Sequence, residues 1–155
     1  MDRIDKKILA LLQCDSKISN QELADKVSLS PSPCLRRVKQ LEEAGYIEKY
    51  VALLNRDKLG LQLTVLVLVG LSTHDAKKMA GFEQIINASS EVVQCYLITG
   101  HTADYLLKVV VSDLNQYQHF LLNKLTKIDG VHHVHSSFVL QTIVDKTELP
   151  LNYIK

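Results

Sequence analysis

Pro33, Arg36, Arg37 and Gln40 recur at i, i+3, i+4 and i+7, so a helix through them gathers two guanidinium groups and a carboxamide on one face. Those are the groups that pair with guanine and adenine edges in a DNA major groove. Ser30, Ser32, Lys39 and Lys49 flank that face with the hydroxyl and ammonium chemistry that holds phosphate, helped by amides at a helix start. A second polar cluster, Thr99, Gly100, His101, Thr102 and Asp104, joins two strand-like runs. A free α-amino acid needs an anion for its ammonium and donors for its carboxylate. Asp104 offers the first, and the Thr102 hydroxyl with the amides around Gly100 offers the second. A plain hairpin turn, with Asp104 accepting backbone N–H groups, satisfies the same residues. A third cluster, His132, His133 and His135, invites a metal reading. On a strand only His133 and His135 share a face, and no motif supplies further ligands, so solvated or interface histidines are the simpler reading, with some pH sensitivity in assembly.

The elements that must position these groups follow from periodicity. Ile4, Ile8, Leu11 and Leu12 form one helical stripe. Ser19 and Glu22 are spaced as a capping box for a second, short helix with Leu23, Ala24 and Val27 inward. Residues 28–31 break the pattern. Ser32 as N-cap and Pro33 at the first helical position restart it, for a third helix over 32–44 stopped by Gly45. Its inner face is Cys34, Leu35, Val38 and Leu41. Residues 47–54 read as a strand. Three helices and a strand describe a winged helix-turn-helix over residues 1–54, whose third helix enters the major groove.

The remainder changes period. Strands are expected at 64–71, 92–99, 105–111 and 131–143. Helices are expected at 75–88, burying Ala76, Met79, Phe82 and Ile86, and at 114–128, burying Leu114, Tyr117, Leu121 and Leu125. The order βαββαβ is ferredoxin-like. The fold class is therefore α+β, with residues 55–62 a hinge, 63–145 the second domain and 146–155 a tail. Strands 64–71 and 105–111 are apolar on both faces, so the sheet face without helices is expected to be covered by a second copy of the chain, or else by the N-terminal helices.

Composition sets limits. At 46% hydrophobic over 155 residues the chain is no disordered tract, and a net charge of +1 gives no global basic signature. Residues 1–50 carry nine Lys and Arg against eight Asp and Glu, so any nucleic-acid contact must come from a focused patch. Such a patch predicts weak non-specific binding per subunit and a need for several heads acting together. Three cysteines without metal spacing read as reduced thiols, the polar N-terminus is no secretory signal, and no apolar run is long enough to span a bilayer. The expectation is a soluble, cytoplasmic protein without membrane partners.

The run from Asn20 to Ile47, NQELADKVSLSPSPCLRRVKQLEEAGYI, closely resembles the Lrp/AsnC family of transcription regulators. The likeness continues through Ala52–Asn55, through Thr99-Gly100 and Asp104-Tyr105-Leu106-Leu107, and through Ser136–Val139. It implies a DNA-binding domain followed by an amino-acid-binding regulatory domain, no cofactor, sheet-to-sheet dimers that often form octamers, and an effector at the 99–104 loop where dimers meet. Leucine or methionine would be the effectors to try first, given the apolar strands around the loop. One departure stands out: three residues separate Gly100 from Asp104, where the family pattern usually has two. Two other classes compete. One is an enzyme of the siroheme-decarboxylase type, which shares the two-domain layout. The other is an interaction module whose winged helix contacts protein. Against the enzyme, the sequence offers no nucleophile–base pair, phosphate loop or metal constellation.

Overall fold

Three helices open the chain: α1 (Arg3–Cys14), α2 (Asn20–Val27) and α3 (Pro31–Glu43). The computed structural model describes residues 1–100 and 102–153. Asp2 caps α1, accepting from the amides of Ile4 and Asp5 while Asp5 returns a bond to the Asp2 amide. The capping box at α2 forms as its spacing requires: the Ser19 hydroxyl accepts the Glu22 amide at 3.2 Å, and the Glu22 carboxylate accepts the Ser19 amide at 3.2 Å. Ile8, Leu9, Leu23, Ala24, Val27, Cys34 and Leu41 are buried together, with Ile4, Leu11, Leu12 and Val38 packed against them. The core of the helical unit is therefore the set of helical stripes read from the sequence, joined by Leu9.

Several expectations in this unit are corrected. Helix α3 begins earlier than the Ser32-Pro33 pair, with Ser30 as N-cap and Pro31 at the first position. Both Ser-Pro pairs fit a helix start, and the first is used because a Pro at the first or third position loses no intrahelical bond. Leu35 is turned outward, 45% exposed, instead of joining the inner face. Residues 47–54 form no strand, since a strand requires a ladder partner and none lies beside them among the described residues. The described part of the C-terminal tail packs in this unit. The Gln13 carboxamide bonds the Leu149 backbone twice, accepting its N–H at 2.6 Å and donating to its carbonyl at 3.3 Å, and Leu151 packs on the helical core. The compact helical unit is Met1–Leu53 together with residues 144–153.

The second unit, Leu54–Ile143, holds β1 (Leu63–Leu71), α4 (Ala76–Asn87), β2 (Val92–Leu97), β3 (Tyr105–Val111), α5 (Leu114–Asn123), a 3-10 turn (Leu125–Lys127) and β4 (Val131–Phe138). The sheet order is β2-β3-β1-β4 with every neighbouring pair antiparallel, the ferredoxin-like arrangement. Val65, Val67, Val69 and Leu71 of β1 alternate with the residues of the other face, and they meet Phe82, Ile86, Tyr117, Phe120 and Leu125 in the core. Ala76 and Leu114, expected inside, are exposed at the first helical turns.

The last strand stops at Phe138, because β1, its ladder partner, begins at Leu63; the final backbone bond runs from the Val139 amide to the Thr64 carbonyl. Residues 55–62, expected as the hinge between the domains, contain a local turn. Arg56 starts a turn closed by the Leu61 amide on its carbonyl at 2.9 Å, and its guanidinium donates to the Thr64 hydroxyl. The sheet face away from the helices carries Leu66, Leu68, Leu106 and Tyr96 beside Lys108, His133 and His135, by register. Leu66 is 37% and Tyr96 49% exposed on it.

Candidate nucleic-acid interface and effector loop

Helix α3 presents a narrow outward stripe. Ser32, Leu35, Arg36 and Lys39 are all exposed, at i, i+3, i+4 and i+7, with Gln40 beside them and the acidic Glu42 and Glu43 at the far end. The sequence placed Pro33 and Arg37 on this face; both are only half exposed, about one residue's rotation away. Among the described residues no ion pair or hydrogen bond engages Arg36 or Lys39, so their charges are available to a partner. Pro31 and Pro33 lack N–H groups, and the Cys34 amide already bonds the Ser30 carbonyl. The first turn therefore offers an anion the Ser32 amide and the Ser30 and Ser32 hydroxyls, fewer donors than an ordinary helix start.

Arg37 is committed elsewhere. Its Nη1 donates to Asp2 Oδ2 and to Asp5 Oδ1, both at 2.7 Å. It thus ties α3 to the two carboxylates that cap α1. The Asp5 amide on the Asp2 carboxylate and then Arg37 hold Asp2 below its ordinary pKa range, and the same pairing with Asp5 and Asp2 raises that of Arg37. The sequence carried one readable part of this contact, the Asp2-x-x-Asp5 cap spacing; the 32-residue separation of Asp5 from Arg37 hid the rest.

In the second unit the Gly100 loop is pinned at its end by Asp104. The Asp104 amide donates to the Val69 carbonyl at 2.9 Å, its carbonyl accepts from Ile98 at 2.8 Å, and its Oδ2 accepts the Leu71 amide at 2.7 Å. The ladder between β1 and β3 ends at the Val69–Tyr105 pair, so the carboxylate takes over where backbone pairing stops. Its other oxygen, Oδ1, lies 2.6 Å from His74 Nε2, and the His74 side chain is 73% exposed. The Leu71 amide is the first cause that keeps Asp104 below its usual pKa, with His74 and then His133 adding to it against the opposing effect of partial burial. Thr99, Gly100 and Thr102 are exposed, with Gly100 at φ +81°. His101 lies outside the described residues. Neither Leu71 nor His74 was legible as a partner of Asp104, since both come from residues more than thirty positions away or just at that distance.

Of the three strand histidines, His133 and His135 fall on the face without helices, as alternation requires. Among the described residues no group of three or more His, Cys, Asp or Glu is arranged to hold a metal ion. Cys14, Cys34 and Cys95 are free thiols, and burial pushes that of Cys34 up in pKa. No helix among the described residues is long and apolar enough to cross a membrane.

Residues 1–48 match the family model of a winged helix-turn-helix DNA-binding domain, and residues 64–149 match that of the Lrp/AsnC ligand binding domain. The chain belongs to the Lrp/AsnC family. It is similar to the Bkd operon transcriptional regulator of Pseudomonas aeruginosa, 44% identical over 97% of this chain and 98% of that one. It is 38% identical to the leucine-responsive regulatory protein of Escherichia coli, over 96% of this chain and 90% of that protein. A transcriptional regulator from Neisseria meningitidis, solved as its L-Met complex, superposes with a TM-score of 0.96 at 40% identity, covering 100% of this chain and 99% of that one. This Lrp/AsnC protein is accordingly a DNA-binding transcriptional regulator. Its relatives are named as regulators, which answers the enzyme alternative.

Proposed function

We propose that this regulator reads DNA through α3 as a homo-oligomer, and that an amino acid bound at the 99–104 loop changes how its dimers assemble. The observation that carries the DNA part is the unengaged Arg36 on the outward stripe of α3. In this reading Arg36 and Gln40 meet base edges, while Ser30, Ser32, Pro33 and Lys39 set position against phosphate and sugar. Arg37 is withdrawn from the base-contacting set, because Asp2 and Asp5 occupy its guanidinium; it holds the recognition helix in place. The protein acts in the cytoplasm, where its DNA is.

The effector is a small amino acid, with methionine and leucine the first to test. The L-Met complex of the Neisseria relative and the name of the Escherichia relative support that choice. Thr99, Gly100, His101, Thr102 and Asp104 form its site, with Asp104 Oδ1 facing the ammonium after His74 moves aside. The open sheet face supports dimerisation: Leu66 and Tyr96 leave apolar surface on it that a second copy would cover. An octamer of four dimers then brings several weak reading heads to one site. No cofactor enters. Coupling between effector and DNA resides in assembly, as a change in the spacing of reading heads.

A thermal-shift screen of the twenty amino acids on the full chain tests this reading, since a binder raises apparent stability by mass action. Methionine or leucine should raise the midpoint and change the sedimentation of the protein, and Asp104→Ala should remove both effects. A flat response to all twenty would sink the effector reading.

A further inference from the structure

The exposed stripe of α3 contains one residue whose chemistry neither phosphate binding nor purine reading uses. Leu35 is 45% exposed, between Ser32 one turn before it and Lys39 one turn after it, with Arg36 alongside. A single exposed leucine on a protein surface is ordinary. This one is placed differently, because its neighbours on the face are the hydroxyl, guanidinium and ammonium groups that would face DNA. Any surface that engages Arg36 and Lys39 must also cover Leu35. The inner positions of the helix are already filled by Cys34 and Leu41, so Leu35 is not needed to anchor α3 on α1 and α2. Leu35 is also the fifth residue of α3, within the N-terminal part of a recognition helix that approaches base edges.

The edges of the major groove present hydrogen-bond donors, acceptors and one apolar feature, the C5-methyl group of thymine. We propose that Leu35 is a specificity-determining residue that reads a thymine, packing its isobutyl group on that methyl beside the purine contacted by Arg36. This rests on the reading of α3 as the major-groove helix. Removing the Leu35 side chain removes a preference at one position of each half-site and leaves the purine preferences of Arg36 and Gln40 in place. Phosphate contacts are unchanged, so binding to unrelated duplexes and its salt dependence stay as they were.

The test uses the full chain and a duplex chosen by the wild-type protein from a random pool. Each thymine of that duplex is replaced in turn by deoxyuridine, which removes only the methyl group. In wild type, one replacement per half-site should weaken binding about fourfold, the effect of one buried methyl-sized group. Leu35→Ala should bind the parent site more weakly and show no further loss at that position. Leu35→Met, which keeps an apolar side chain there, should restore the uridine penalty. Melting curves of both variants should overlay wild type, because the side chain is half exposed. A uridine penalty of equal size in wild type and Leu35→Ala, or no penalty at any thymine, overturns the thymine assignment alone. If Arg36→Ala also binds the parent duplex like wild type, α3 is not the reading helix, and both proposals fall together.

Discussion

The His133 imidazole occupies the space that a side chain at Gly70 would need. The two residues are register partners on β4 and β1, and a Cβ built on Gly70 would stand 2.0 Å from His133 Cε1 and 2.6 Å from each ring nitrogen. Gly70 does not adopt a positive φ, so its backbone would accept any residue, and the close approach of the ring is what demands glycine. The β1–β4 register shifts immediately after this pair, and the next amide along, that of Leu71, is the one bound by Asp104. His133 thus stands on the open sheet face beside the end of the 99–104 loop.

Replacing Gly70 by Ala must expel the ring from its seat. We expect a loss of about 1–3 kcal/mol in unfolding free energy, the usual penalty for forcing an extra group into a filled site. The double variant Gly70→Ala/His133→Ala should recover most of it, since the clashing ring is gone. Chemical denaturation of the four proteins checks this, and a Gly70→Ala protein as stable as wild type would refute it.

The two adjacent arginines should separate cleanly. Arg36→Ala is expected to keep the wild-type melting curve and to lose about 1–3 kcal/mol of binding to a selected DNA site, with relaxed specificity. Arg37→Ala breaks the contact with Asp2 and Asp5, so it should lower the melting temperature and weaken binding to all duplexes alike. Binding isotherms on selected and scrambled DNA, paired with thermal melts, read both effects. The reverse pattern would return Arg37 to the reading face.

The difference between those arginines marks where sequence reasoning ran out. Periodicity found the helices and the core stripe of Ile8, Leu23, Ala24, Val27, Cys34 and Leu41, because burial of one helix face is a local pattern. The βαββαβ order was legible for the same reason. Near the edges of a face, however, a rotation of one residue decides whether a side chain is inside or outside. Leu35 and Arg37 lie at such edges: Leu35 is turned outward, and Asp2 and Asp5 hold Arg37. Residues 47–54 look like a strand by composition, yet pairing is a non-local property that composition does not supply. The docking of Leu149 on Gln13, 136 positions apart, had no local signal at all.

The contact of Asp104 with the Leu71 amide and its proposed contact with an effector can be separated by a pair of substitutions. Asp104→Asn keeps a carbonyl oxygen for the Leu71 amide but removes the negative charge, so the fold should persist while response to an amino acid is lost. Asp104→Ala also leaves the Leu71 amide without its partner, and an unsatisfied, partly buried donor costs about 1–3 kcal/mol. We expect Asp104→Ala to be less stable than Asp104→Asn, with neither showing a thermal shift with methionine or leucine. A wild-type response in Asp104→Asn would place the effector away from this carboxylate.

The same carboxylate makes a prediction about acid. The Leu71 amide, followed by His74 and His133, holds the Asp104 pKa below its unfolded value, which is about 3.9. A group with a depressed folded pKa binds fewer protons in the native state than in the unfolded one. Its stabilisation is complete above the unfolded pKa and disappears as pH falls through the folded one. The stability difference between wild type and Asp104→Asn should therefore shrink steadily as pH falls below about 4. The Leu71 amide reports the event directly, because its hydrogen-bond acceptor is the titrating oxygen. Its NMR shift should follow a single titration with a midpoint below that of an ordinary aspartate, and that titration should vanish in Asp104→Asn. A Leu71 shift that stays level down to the onset of acid unfolding would show that the carboxylate does not control this turn.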